Sequence, residues 1–323
     1  MVQCMMKFKR FGFRDLLIIV LLAAVLEGRQ KLAFSAPCCS RNSAVPILIS
    51  GDDEAQVNFG SSIAGVVGQV FDDGVPIFGS SLTSEYVRAM RLEGALLVSD
   101  RLQLGVGVPL VHYSYTVIGE TEASTRMGDI RLSLGYEFMP LWSYSRWKPQ
   151  GFLFSVVTLP TGRSRYESQT LLSTDVTGNG FFSTSFGALL LKRWTLWDVF
   201  FVPEVHYGFP RIFQTTGNSI IVQPGFGGSL GFGVGFSPGG GSFRLGVRLH
   251  PRLDQARFVP TMELDVREQG WVSNCDTGFD VAYMLGSHDT LSVFYTDQTL
   301  LGEARNTVLN RMAGVNYQHR WER

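Results

Sequence analysis

Beyond its first forty or so residues, the chain alternates apolar and polar residues along one segment after another. Leu102, Leu104, Val106, Val108 and Leu110 are separated by Gln103, Gly105, Gly107 and Pro109. Ile130, Leu132, Leu134, Tyr136 and Phe138 alternate with Arg131, Ser133, Gly135 and Glu137. Phe243, Leu245, Val247 and Leu249 interleave with Arg244, Gly246, Arg248 and His250. A period of two sends successive side chains to opposite faces, so each segment reads as a strand with one apolar and one polar face. A soluble sandwich alternates in the same way, and a second feature is needed to choose between the two.

The N-terminus supplies it. Lys7, Lys9, Arg10 and Arg14 precede the apolar run Leu16 to Leu26. That run is too short for a helix that must span roughly 20 residues of hydrocarbon. A basic segment, a short apolar segment and the small residues Ala33 and Ser35 read as a secretory signal peptide over residues 1–36, cleaved after Ser35 or Ala36. A lipoprotein reading at Cys38 or Cys39 is weak, because neither follows the small residue that a lipobox requires. No other long apolar run follows. The exported chain therefore either stays soluble or crosses the bacterial outer membrane as strands, which lipid tolerates only in a closed barrel.

Composition favours the barrel. Charged residues are only 17% of the chain, while Gly (36) and Phe (24) are frequent. Residues 1–36 hold six basic and two acidic side chains, which leaves 22 basic and 26 acidic ones and a net charge of −4 for the rest. That balance argues against a nucleic-acid partner. Cys38, Cys39 and Cys275 are too few for a disulfide scaffold; one bridge or unpaired thiols are both open.

The expected fold class is all-β: a transmembrane, antiparallel, up-and-down barrel of about 12 strands, a permitted number for such barrels. Residues 37–55 read as a flexible mature N-terminus and 56–323 as the barrel. Clear strands are expected over 84–98, 102–118, 128–138, 150–160, 180–193, 195–208, 219–236, 242–251, 257–267, 277–286, 289–297 and 306–321. Ser99–Arg101, Ser237–Gly241 and Gly286–Asp289 read as tight periplasmic turns, and Thr161–Gly180 as a long outer loop. With both termini periplasmic, strict alternation of turns needs one more strand before 84 and one fewer later. Gln56–Phe71 is the natural addition, and 251–276 the natural place for a strand too many. Trp142, Trp147, Trp194, Trp197, Trp271 and Trp321 mostly fall at strand ends, where an aromatic girdle sits. The alternating, aromatic close of Gly314–Trp321 resembles a recognition signal for the barrel-assembly machinery, although Glu322 and Arg323 follow it.

Three segments carry a more specific likeness: Val98–Pro109 (VSDRLQLGVGVP), Gly128–Tyr136 (GDIRLSLGY) and Thr158–Gly162 (TLPTG). In order and spacing they resemble a family of outer-membrane barrels named for the MetA pathway of phenol degradation, over roughly residues 84–321. The resemblance implies a transporter of small organic compounds and identifies no solute. Some similar barrels carry a C-terminal peptidoglycan-binding domain, which is not expected where residue 321 closes the last strand.

Sites of chemistry are sparse. Gly225–Gly235 (GFGGSLGFGVG) holds no complete dinucleotide fingerprint, and its glycines read as relief of crowding on an inner wall. No histidine is spaced for a metal, so neither metal nor cofactor is expected. His206 and Glu204 share a face and are the nearest thing to a hydrolase pair; ordinary lumen polarity explains them better, and no enzyme is expected. If the Leu- and Phe-rich face meets lipid, the lumen face carries Arg91, Glu93, Asp129, Arg131, Glu137, Asp198, Glu204, His206, Arg244, Arg248, Glu263, Asp265, Arg267 and Asp280. Phe200, Val202, Met284, Phe294 and Met312 fall on it too. Those charges either pair and brace a narrow barrel or line a wet constriction that selects solutes.

The function these features support is a channel for small solutes, apolar or aromatic ones among them. A closed barrel with a structural or binding role through the 161–180 loop is the alternative, and a lipid hydrolase is a third reading. The expected partners are outer-membrane lipid, the assembly machinery and a small-molecule solute.

Overall fold

A computed structural model describes residues 46–323 apart from 80–82, 142–144, 216–217, 239–241, 257, 261–264 and 268–269. The signal peptide, Cys38, Cys39, Trp142 and Glu263 lie outside the described residues.

Twelve long strands follow the alternating segments. They are β1 (Asp53–Val70), β2 (Thr83–Leu97), β3 (Leu102–Val117), β4 (Ile130–Met139), β5 (Gln150–Leu159), β6 (Ser183–Arg193), β7 (Trp197–Gly208), β8 (Gly225–Phe236), β9 (Phe243–Asp254), β10 (Val272–Met284), β11 (Asp289–Asp297) and β12 (Thr307–Glu322). Each pairs antiparallel with its neighbours in sequence, and β12 returns to β1, with Ser61 opposite Val315. Closure into a 12-stranded barrel removes every free edge and satisfies the backbone without water.

The two adjustments that turn alternation required are both present. The expected segment Gln56–Phe71 falls in β1 as far as Val70, despite its weak pattern. Residues 257–267 are not a wall strand; Phe258–Pro260 and Asp265–Arg267 pair with each other as a separate hairpin beyond the end of β9. Asp265 and Arg267 therefore leave the predicted lumen set. The expected strand 219–236 also divides. Residues 218–222 pair with Arg211–Thr215 in an outer hairpin, and the wall strand starts at Gly225.

The faces sort by contact with lipid. Leu104, Val106, Leu132, Leu134, Val247, Phe279, Val293 and Val315 are exposed along the outside. In water so much contiguous apolar surface marks an interaction site, and on a closed barrel it is the band that meets hydrocarbon. Trp147, Trp197 and Trp321 are exposed at one end, and Trp271 at the other, as a girdle requires. Turns such as 98–101, 194–196 and 285–288 close one end, where both termini of the barrel lie. The opposite end carries 160–182, the 211–222 hairpin and Glu120–Met127, which extends the wall beside β3. Short turns face the periplasm in such barrels and long loops face outward.

Candidate functional site: a divided lumen

Near the short-turn end the lumen is filled. Residues 46–50, which precede β1 and were expected to be loosely ordered, pack inside the barrel. Ile47 and Ile49 are buried with Ala95 and against Leu97. Leu48 packs on a cluster of Phe152, Phe154, Val156, Leu189 and Val202, joined by Phe200. Gln103, second residue of β3, clamps the segment: its Oε1 accepts from the Ile49 N–H at 2.5 Å, and its Nε2 donates to the Ile49 carbonyl at 3.4 Å. The wall opposite must be bare, since a Cβ at Gly135 would lie 2.7 Å from Leu48 Cδ2.

Charges at this depth pair with one another. Arg244 Nε and Nη1 lie 2.8 Å from Asp198 and 2.7 Å from Asp280, and all three side chains are at most 10% exposed. A Cβ at Gly235 would collide with both Asp198 and Arg244, so the glycines of β8 do make room for inward side chains. Gln150 Nε2 donates to Glu137 at 2.7 Å, Gln318 Nε2 to Gln56 at 2.8 Å, and Arg320 meets Asp53 at 3.4 Å. Met284 and Phe294 are buried in this wall, and Met312 is half-buried. Phe294 lies under the Arg248 guanidinium at 5.7 Å, while Arg248 donates to Thr296 at 3.2 Å.

Toward the long-loop end the lumen opens into a cavity of about 1260 Å³. Arg91 and Arg131, from β2 and β4, line one side of it. Arg131 is 3.1 Å from Glu93. Glu204, His206, Asp254 and Asp276, from β7, β9 and β10, line the facing wall. His206 Nε2 is 2.8 Å from Asp254 and its Nδ1 3.8 Å from Glu204. Ser229 donates to Glu204 at 3.1 Å, not to the imidazole, whose Nε2 is engaged by Asp254. That is the reverse of what a hydrolytic triad needs, where serine must approach the base. Asp254 is also held by Arg252 at 2.8 Å, and Asp276 accepts from Gln298 at 2.7 Å.

The 160–182 loop forms the rim. Asp175, 0% exposed, accepts from Arg163, Ser168, Gln169 N–H and Thr170 at 2.6–3.1 Å. Burial alone would raise its carboxyl pKa, but these bonds outweigh it and hold the group well below the usual range. Asp129 accepts from the Gly162 and Asn179 N–H groups and pins both ends of the loop to the barrel; there burial prevails and the pKa rises. Phe181, Phe213 and Val222 form a small core with Tyr166 that joins loop and outer hairpin.

The predicted lumen residues Arg91, Glu93, Arg131, Glu137, Asp198, Glu204, His206, Arg244, Arg248 and Asp280 thus all lie on the inner wall, at two depths. What sequence reasoning missed is the 46–50 segment and its clamp. The residue that signals it is Gln103, an amide among small residues on the inward face. Among the described residues Cys275 forms no disulfide, and no cluster of side chains is arranged to hold a metal ion.

No protein-family model and no curated protein match the chain. Among solved structures, an outer-membrane channel from Pseudomonas putida F1 is similar with a TM-score of 0.66 at 11% identity, covering 87% of this chain and 99% of that one. The translocator domain of the autotransporter NalP from Neisseria meningitidis gives 0.45 at 11% identity, over 84% and 90%. The Pseudomonas putida toluene transporter TodX gives 0.41 at 8%, over 83% and 90%. At such identities the first likeness is one of fold. With the apolar outer band and closed wall, it makes this chain an outer-membrane β-barrel.

Proposed function

We propose that the barrel conducts small solutes across the outer membrane, without catalysis, through the outward-facing vestibule and past the 46–50 plug. The observation that carries this reading is the division of the lumen. A vestibule of about 1260 Å³ occupies the long-loop half, reaching Val156, while residues 46–50 pack with the apolar cluster of the short-turn half. Wall side chains alone fill the interior of a barrel of about eight strands, and a 12-stranded one is wider. Here residues 46–50, which run into β1 and are held to the wall by Gln103, supply part of the filling.

The floor favours apolar or aromatic solutes: Phe152, Phe154, Val156, Leu189 and Val202 are what a solute meets if the plug moves. The likeness of Val98–Pro109, Gly128–Tyr136 and Thr158–Gly162 to the barrels named for the MetA pathway supports the same class. Flux into liposomes that carry the purified barrel tests this. Uptake of a small aromatic such as phenol or benzoate, faster than into protein-free vesicles and faster again without residues 46–50, is expected. Rates equal to protein-free vesicles in both cases would remove the channel reading and favour a closed, binding barrel.

A further inference from the structure

The lipid-facing wall is interrupted by charge near the outer end of β2 and β3. Arg88 of β2 is exposed on the same face as Tyr86, Met90 and Leu92, so it points into the membrane region and not into the lumen. It stands opposite His112 of β3, and His112 stands opposite Thr125 of the 120–127 extension. Directly opposite residues hold their Cβ atoms about 5 Å apart, so the three side chains form one polar row on the outside. As far from the periplasmic end of β7, eight residues beyond Trp197, the wall carries Val205 beside Phe186.

The row lies just below the outer edge of the apolar band. Arg88 is eight residues from Leu96, which is exposed at the periplasmic end of β2. At about 3.3 Å per residue and a tilt of about 40°, that is a height of about 20 Å, in a band about 25 Å tall. Arg311, ten residues from Trp321 on β12, lies about 25 Å up and pairs with Asp297 at 3.0 Å on the outward face. An arginine on the lipid face is costly at the bilayer midplane and nearly free at the interface. The stem of Arg88 can lift its guanidinium through the remaining distance to the headgroups.

Arg311 has its counter-charge, and Arg88 has none. Among the described residues Arg88 forms no ion pair. The acids beside this row in sequence, Glu85 and Glu122, point to the other face, where Tyr113 and the 160–182 loop hold them. His112 Nδ1 is 2.7 Å from Thr125 Oγ1, and Nε2 is the donor left when that hydroxyl donates. A guanidinium fork beside a second donor matches the oxygens of a phosphate.

We propose that Arg88 and His112 form a lipid-facing site for the phosphate of an outer-leaflet lipid, whose acyl chains lie along the exposed Met90, Leu92 and Leu110 below. The apolar track beneath the cations is what favours a lipid over a free anion. The site lies outside the barrel and does not depend on conduction.

The test is native mass spectrometry of the folded barrel in an uncharged maltoside detergent, titrated with lipid A and with lipid A stripped of its phosphates. The wild type is expected to retain lipid A and to bind the stripped lipid at least about tenfold more weakly. Arg88→Gln is expected to weaken lipid A about tenfold, the loss of one charge-assisted bond, and to leave the stripped lipid unchanged. Arg88→Lys keeps the charge without the fork and is expected to fall between the two. Arg146→Gln, which removes a cation beside Trp147 at the short-turn end, is expected to change nothing. Heat-modifiable gel mobility shows that each variant is folded. Equal retention of the two lipids, retention unchanged in Arg88→Gln, or an equal loss in Arg146→Gln would overturn the site. Displacement of lipid A by inorganic phosphate would overturn the lipid as its occupant.

Discussion

The two halves of the lumen solve the same problem in different ways. Near the periplasmic end, inward charges are consumed by one another: Arg244 is held between Asp198 and Asp280, Arg320 meets Asp53, and the gap that remains is closed by Ile47, Leu48 and Ile49. Near the outer end, Glu204, His206, Asp254 and Asp276 line a cavity, with Glu204 buried in its wall and Asp254 shared by His206 and Arg252. A barrel wall has the same alternation along its whole length, so the pattern itself does not separate brace from vestibule. What separates them is filling: residues 46–50 and their apolar partners occupy the lower half, and a cavity of about 1260 Å³ occupies the upper. The lower half is packed shut, and the upper half keeps its paired charges around open space.

The sharpest way to break this contrast is to remove one cation from each half. Arg244→Ala leaves two buried carboxylates unpaired and is expected to cost about 3–5 kcal/mol, read as a fall in the denaturant midpoint of the refolded barrel. Arg131→Ala, at a pair with side chains 27% and 12% exposed beside the cavity, is expected to cost less, about 1–3 kcal/mol. Equal losses would erase the distinction. Charge reversal at Arg244, which a pore-lining role would read as changed ion selectivity, is on this account a folding defect.

Next in size is the rim. Asp175→Asn removes the acceptor of the bonds that fold the 160–182 loop, a local loss of roughly 1–3 kcal/mol. It is expected as faster amide exchange in that loop, with β1–β12 unaffected. Because the folded pKa of Asp175 is depressed, its contribution is complete above the ordinary Asp value of about 3.9 and falls away as pH drops toward the folded value. Loop protection should therefore decline with acid below about pH 4 in the native chain and be flat in the Asn variant. The smallest effect belongs to the clamp. Gln103→Leu frees the Ile49 backbone and weakens plug seating by about 1 kcal/mol, about a fivefold change in the unseated population. It should appear as greater protease access at 46–50, with an unchanged unfolding midpoint.

Much of this architecture is legible in the residues. Period two marks the wall because lipid outside and packed polar groups inside impose opposite chemistry on neighbours, as at Leu245 beside Arg244 and Gly246. β1 is faint because, beyond inward Gln56 and Asn58 and outward Val57 and Phe59, both faces carry small residues at Gly60, Ser61, Ser62, Ala64 and Gly65. Residues 257–267 misled because a hairpin beyond the wall has the same period as a strand within it. The plug left no pattern: five residues are too few for a period, and their partners Ala95, Gln103 and Gly135 are about 50 residues or more away. Nor does composition say which inward charges meet. Arg244 reaches Asp198, 46 residues away, through the registers of β7, β8 and β9.

Planar-bilayer conductance of the refolded chain, with and without residues 46–50, tests the divided lumen most directly. Small or rare steps in the full chain and large, steady steps once the segment is removed are the predicted result. Equal conductance in the two, or silence in both with folding confirmed by heat-modifiable mobility, would contradict a plug that closes an otherwise open path.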